Sequence, residues 1–329
     1  MTFFPTLEQI VGHAPVLANL RRAMAENHPG HAHLYFGPPG IGKATVAAAF
    51  VQALFCRNKQ SPDASGCGEC APCRKVAQGV HSDLTRVVMA EGKTRIGVDQ
   101  VRQLASFFSL TPLEAPWKVA IMDDAASMNE AAANALLKTL EEPPDRSLLI
   151  LVTRQPGRLL PTIRSRCLKT RFSPLTQSEV RQILNTGPHA ELVAALEEST
   201  LQEALLAGGG NVGRTLAFSQ GELPALRKKF RQEIATLPSA SLGQIITLAE
   251  QWGQPEKFAL VAVLLRGWLQ EHLRGTVPSA MGVGGREGWL KAAVWIEQIL
   301  RQAEGVNLNR RLVLEAIFIR LARVQGAAC

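Results

Sequence analysis

Tyrosine occurs once in 329 residues and aromatic residues make up only 5%, too few for base stacking to be the main activity. No apolar run approaches the roughly 18–20 residues of a membrane span. The strongest runs, such as Leu148 to Val152, are far shorter. The N-terminus carries no signal-peptide pattern, and the chain shows no convincing internal repeat and no low-complexity tract. A hydrophobic content of 46% against 19% charged residues argues against disorder as the dominant state. Cysteine is scarce outside one segment: four of the six lie between positions 56 and 73, which no disulfide framework spread over the chain would give. These absences lead us to expect a soluble, non-exported, cytoplasmic protein with no membrane partner.

What is present points further. Lys and Arg number 36 against 28 Asp and Glu, and the resulting +8 permits nucleic-acid binding without requiring it. At roughly 100–200 residues per domain, the length suggests about two or three domains. Up to residue 172, His33 to Phe36, Leu84 to Met89, Val119 to Met122 and Leu148 to Val152 read as strands separated by helices, the signature of a parallel α/β sheet. Ser127 and Glu130 have capping-box spacing before a helix that starts near Met128 and stops at Pro143-Pro144. Beyond Phe172 strand signals fade, and Thr176 with Glu179 repeats the capping-box spacing. Gly208-Gly209-Gly210 precedes a helix from about Val212, and a Gly-rich stretch from Gly275 to Gly288, containing Pro278, reads as an exposed loop. Trp289, Ala293, Ile296 and Leu300 mark one buried helix face, and Leu312, Leu314, Ile317, Ile319 and Leu321 lie on a last amphipathic helix. The tryptophans are expected in the core.

The segment Gly37-Pro38-Pro39-Gly40-Ile41-Gly42-Lys43 follows a strand and precedes an apolar helix, Thr45 to Phe55. Gly37, Gly40 and Gly42 let backbone N–H groups curl round phosphate oxygens, the helix N-terminus adds positive partial charge, and Lys43 reaches the terminal phosphates. Position 44 is Ala where the motif places a hydroxyl for magnesium. Thr45 is a doubtful substitute, since the next helical residue points about 100° away. Asp123 and Asp124 end the Val119 to Met122 strand; Asp123 is placed for magnesium, and Asp124 stands where a longer carboxylate would polarise water.

Cys56, Cys67, Cys70 and Cys73 have zinc-ligand spacing, with Gly68-Glu69 and Ala71-Pro72 expected as tight turns that present successive sulfurs. A redox pair competes, but four thiolates favour a structural site with no open position. Cys167 reads as a buried thiol and Cys329 as an exposed one.

Together with Gly37 to Lys43 and the four cysteines, the run from Ala133 through Asn134, Leu136-Leu137-Lys138 and Glu141-Glu142 to Pro144, and Ser165-Arg166-Cys167, resemble the bacterial DNA polymerase III clamp-loader family of AAA+ ATPases. The similarity covers most of residues 1–220; the helical remainder is similar to the family's oligomerisation collar in length and pattern. It implies an α/β AAA+ P-loop domain over 1–172 with a zinc-binding insertion at 56–73, followed by all-α parts: a small helical lid over 173–220 and a helical collar over 221–329. The family's gamma/tau motors carry the magnesium-binding hydroxyl and an aspartate–glutamate pair, and tau a long extension. Ala44, Asp124 and the short tail depart from this, which implies a comparatively rigid non-motor subunit with impaired ATPase and no polymerase active site.

The resemblance also assigns roles. Thr153 resembles the first sensor residue, and Arg214, in Gly213-Arg214-Thr215-Leu216, the sensor arginine of the lid. Arg166 resembles an arginine finger that reaches a neighbour's ATP, a device worth about 10³–10⁵ in rate. The implied cofactors are structural Zn2+, and ATP with Mg2+ bound weakly or without hydrolysis. The implied partners are delta and gamma/tau subunits in a hetero-oligomer, the sliding clamp through that complex, and primed DNA within it. Two other readings stay open: an autonomous ATPase motor using Lys43, Thr45, Asp123 and Asp124, and a zinc-dependent nucleic-acid-binding module.

Overall fold

Runs of Val, Ile and Leu too short for helices become strands when both faces are covered. β1 (Ala32–Phe36), β2 (Leu84–Val87), β3 (Lys118–Met122), β4 (Ser147–Thr153) and β5 (Leu168–Arg171) form one parallel sheet in the order β2-β3-β4-β1-β5. The structure is a computed structural model and describes residues 5–61, 63–90, 92–219, 223–273, 285–305 and 308–325. Among the described residues seven α-helices accompany the sheet: α1 (Ala14–Ala25), α2 (Lys43–Phe55), α3 (Ala71–Gln78), α4 (Val98–Ser109), α5 (Glu130–Glu141), α6 (Pro161–Arg166) and α7 (Gln177–Thr186).

Side-chain alternation along the strands sorts the core into two layers. On one face Tyr35, Val119, Ile121 and Ile150 meet α1 and α2 through Leu20, Val46 and Phe50. On the other, Leu34, Ala120, Met122 and Leu149 meet α4, α5 and α6 through Leu104, Leu136 and Ile163. The P-loop helix and α6 therefore lie on opposite faces of the sheet.

The chain divides into two compact units, Met1–Pro188 and His189–Cys329. In the second, the described residues form helices: α8 (Ala190–Ala194), α9 (Glu198–Gly208), α10 (Val212–Ser219), α11 (Leu223–Ala235), α12 (Leu242–Trp252), α13 (Pro255–Leu273), α14 (Gly285–Gly305) and α15 (Arg310–Gln325). One core joins Phe218, Phe230, Ile245, Leu265, Ile296 and Phe318. Trp252, Trp268 and Trp289 are buried in it as expected, whereas Trp295 is only half-buried against it. The α/β-then-all-α reading holds. Among the described residues no helix is long and apolar enough to cross a membrane.

Several local expectations need correction. β5 was not foreseen. Asp124 has left-handed backbone (φ 49°) and starts a 3-10 turn through Ser127, so α5 is capped instead by Asn129, whose side chain accepts from the Ala132 N–H. The Thr176–Glu179 box on α7 forms as read. Ala71-Pro72 is the first turn of α3, with Pro tolerated where the helical N–H has no partner. Leu312 is exposed, while Leu314, Ile317 and Leu321 are buried. Of the stretch read as a loop, residues 275–284 lie outside the described residues, and Gly285 to Gly288 belong to α14. Cys329 also lies outside them.

Candidate functional site

The P-loop is built by β1, a glycine-rich turn and α2. Gly37 has φ 148°, and a Cβ there would collide with the Phe172 carbonyl oxygen that follows β5. Gly42 caps α2 in left-handed backbone, φ 95°, a conformation an L side chain resists. Gly40, φ 68°, completes the turn. Lys43, the first residue of α2, is buried and its ammonium donates to the Gly37 and Pro38 carbonyls at 2.9 and 2.6 Å. Burial lowers its pKa, the charges of Asp123 and Asp124 oppose that, and Arg154 reinforces it.

Thr45 lies one position past Ala44 on α2, half-buried. Asp123 and Asp124 follow β3, and Asp123 Oδ1 accepts the Asp124 N–H at 3.0 Å. Thr153 ends β4 in register with Phe36 of β1, and its hydroxyl accepts the Gln155 N–H at 3.1 Å. The fold thus brings Lys43, Asp123 and Asp124 within electrostatic range of one another at the C-terminal ends of the inner strands β1 and β3.

Three residues of this region escaped the sequence reading. His13 Nε2 lies 2.7 Å from the Ile41 carbonyl and its ring is edge-on to Phe172, tying the start of α1 to the P-loop. Arg154 follows Thr153, and Arg86 projects from β2; both act electrostatically on the site, Arg154 on Lys43 and Arg86 on Asp123. Arg154 stands directly after a strand end, a position that could have flagged it. Arg86 needed the strand pairing.

Arg166 ends α6, on the sheet face opposite α2. Its Nη1 donates to the Thr162 carbonyl at 3.1 Å, and its Nη2 pairs with Glu141 Oε1 of α5 at 2.8 Å, both side chains reaching solvent. Cys167 beside it is buried, which pushes its thiol up to about 11. Arg214 lies on α10 of the second unit. Its backbone N–H donates to the Asn211 side chain.

The four cysteines converge. All four Sγ atoms lie within 4.8 Å of one another, with Cys67–Cys73 and Cys56–Cys70 at 4.0 Å. Zn–S bonds of about 2.3 Å give a tetrahedral edge of about 3.8 Å, so this donor set fits a tetrahedral metal. Gly68, φ 78°, turns the chain between Cys67 and Cys70. The Cys67 and Cys70 N–H groups donate to the sulfurs of Cys56 and Cys67 at 3.3 Å. Burial disfavours the Cys70 thiolate, but backbone N–H groups and neighbouring thiols outweigh it and lower the group to about 6. The same burial pushes the Cys73 thiol up.

A brace next to the cluster was also not foreseen. Asp83 is fully buried, and its carboxylate accepts the N–H groups of Leu113, Glu114 and Ala115 at 2.7–2.9 Å and the Lys118 ammonium at 3.3 Å. Glu114 in turn binds Lys75 of α3 at 2.6 Å and the Ser82 hydroxyl at 3.0 Å, linking the cysteine segment to the sheet edge.

Comparison with known proteins accords with these features. Residues 12–176 match the family model described as DNA polymerase III, delta subunit. The chain is 32% identical to the DNA polymerase III subunit delta′ of Pseudomonas aeruginosa over 326 residues, covering 90% of this chain and 93% of that one. It is 32% identical to the Escherichia coli delta′ subunit over 243 residues, 74% of this chain and 70% of that one. With the tau subunit of Bacillus subtilis it shares 30% identity over 238 residues, 72% of this chain but only 41% of tau. The chain belongs to the DNA polymerase III delta′ subunit family.

Proposed function

We propose that this chain is a comparatively rigid subunit of a cytoplasmic clamp loader, in which it assembles with delta and gamma/tau subunits and helps ATP-dependent loading of the sliding clamp onto primed DNA. Arg166 is the observation that carries this reading. Its helix packs against α5, on the face of the sheet away from the chain's own P-loop helix, and its guanidinium reaches solvent with Glu141 beside it. An arginine so placed is suited to the phosphates of a neighbour's ATP, where a positive charge offsets the charge that develops during hydrolysis.

The P-loop supports the same assignment from the other side. Ala44 supplies no hydroxyl for magnesium, Asp124 is short for a base, and Lys43 is turned onto the loop's own carbonyls. Nucleotide held at Gly37, Gly40, Gly42, Lys43 and Thr45, beside Asp123, Asp124 and Thr153, would bind weakly or escape hydrolysis, and Arg214 is the lid residue we assign to the same role. In this reading residues 173–220 form the lid and 221–329 the collar that fixes the subunit in the ring.

Cys56, Cys67, Cys70 and Cys73 hold a structural zinc ion, which cross-links an insertion too short to make its own core. Four sulfur ligands leave no open position for chemistry. The +8 charge suits phosphates of primed DNA inside the ring. The test is reconstitution: with delta, gamma/tau and clamp present, loading onto primed DNA should require this chain. Loading at the same rate without it refutes the role.

A further inference from the structure

The P-loop region does not fit a magnesium-bridged nucleotide. Magnesium takes oxygen ligands in near-octahedral geometry, commonly one or two carboxylates with substrate phosphates, and in P-loops also the hydroxyl that follows the lysine. Here position 44 is Ala, and Asp123 Oδ1 already accepts the Asp124 N–H at 3.0 Å. Thr45 is turned by about 100° from the position of the missing hydroxyl.

Strand register puts a cation in its place. Arg86 on β2 stands opposite Ile121 on β3, and Ile121 packs on the α2 face of the sheet. Paired residues of parallel strands share a face, and residues two apart do too, so Arg86 and Asp123 project toward the same side as α2. The pairing runs on past the strand: the Asp123 N–H donates to the Val87 carbonyl at 3.0 Å. Arg86 and Asp123 attract each other, Lys43 is attracted by both Asp123 and Asp124, and Arg154 stands within electrostatic range of Lys43. Two cations, Lys43 and Arg86, thus act on the carboxylates, and Arg154, directly after β4, adds positive charge near Lys43, before the positive end of α2 is added. Compared with two uncompensated carboxylates, this arrangement favours a polyphosphate and disfavours a lone divalent cation.

We propose that the loop Gly37 to Lys43, with Arg86 and Arg154, forms a metal-independent site for a nucleoside di- or triphosphate, in which Arg86 offsets Asp123 where a motor subunit uses magnesium. The proposal rests on the reading of residues 37–43 as a phosphate loop. It sets this site apart from a hydrolytic one by its ligand, free rather than magnesium-bound nucleotide.

Calorimetric titration of the full chain with ADP and with ATP, in excess EDTA and in millimolar Mg2+, tests it. Affinity in EDTA should equal or exceed that in Mg2+. Arg86→Gln should weaken binding in EDTA by about tenfold, with Mg2+ restoring most of the loss, and Arg86→Lys should keep the metal independence. Wild-type binding that falls by roughly tenfold or more on removal of Mg2+ overturns the proposal without any variant. Absence of binding in both media overturns it too, and leaves the subunit's role in loading to its separate reconstitution test.

Discussion

Arg166 and Glu141 are paired across α6 and α5, Nη2 to Oε1 at 2.8 Å, with both side chains partly in solvent. An exposed ion pair of this kind is worth about 0–1 kcal/mol, because water and salt screen it and two long side chains must be held still. Glu141→Gln is therefore expected to shift unfolding stability by less than about 1 kcal/mol. Thermal melts of the isolated chain check this; a loss of several kcal/mol would mean that the pair holds the α5–α6 packing together.

Asp83 is the opposite case. It is buried with three backbone donors and Lys118, whose ammonium also lies 4.2 Å from the Phe107 ring centroid. Asp83→Ala leaves Lys118 uncompensated and three N–H groups without their acceptor, at an expected cost of about 3–5 kcal/mol in urea unfolding. A cost under about 1 kcal/mol would contradict the brace.

The same residue sets a pH dependence. Burial alone would raise the Asp83 pKa, but its backbone donors and Lys118 outweigh it, so the folded value lies below the ordinary 3.8. Because the folded state binds the proton more weakly, the stabilisation is complete above 3.8 and is lost as pH falls through the lower folded value. Acid titration of stability should show an unfolding slope in that range that is reduced in Asp83→Asn.

Thr176 and Glu179 form a reciprocal capping box on α7, with Thr176 Oγ1 accepting the Glu179 N–H at 3.2 Å and Glu179 Oε2 accepting the Thr176 N–H at 2.7 Å. Thr176→Ala should cost about 0.5–2 kcal/mol in chemical denaturation, and Thr176→Ser appreciably less.

Much of this fold was legible because the signal and the structure have the same cause. β1, β3 and β4 are covered on both faces, so they read as continuous apolar runs. β5 is an edge strand whose Leu168, Lys169 and Arg171 face solvent, which removes the run that would have announced it. Ser127 and Glu130 had the right spacing, but a left-handed Asp124 uses Ser127 in a 3-10 turn, and spacing carries no backbone angle. The P-loop and cysteine cluster are local in sequence and could be read directly. Arg86 and the Asp83 brace depend on strands and a loop about 30 residues apart, and only pairing brings them together.

Metal analysis should find one zinc ion per chain bound to Cys56, Cys67, Cys70 and Cys73. Its removal by a chelator should make those four thiols reactive and open the 56–78 segment to proteases. An unchanged cleavage pattern in metal-free protein would contradict a structural role.

The most direct measurement is DNA-stimulated ATP hydrolysis by a loader reconstituted from delta, gamma/tau, clamp and this chain carrying Arg166→Ala. An arginine finger contributes about 10³–10⁵ in rate at the site it serves. The complex should assemble with unchanged size on gel filtration, while stimulated hydrolysis and loading fall. Wild-type hydrolysis from the fully assembled variant complex would contradict the trans-acting role of Arg166.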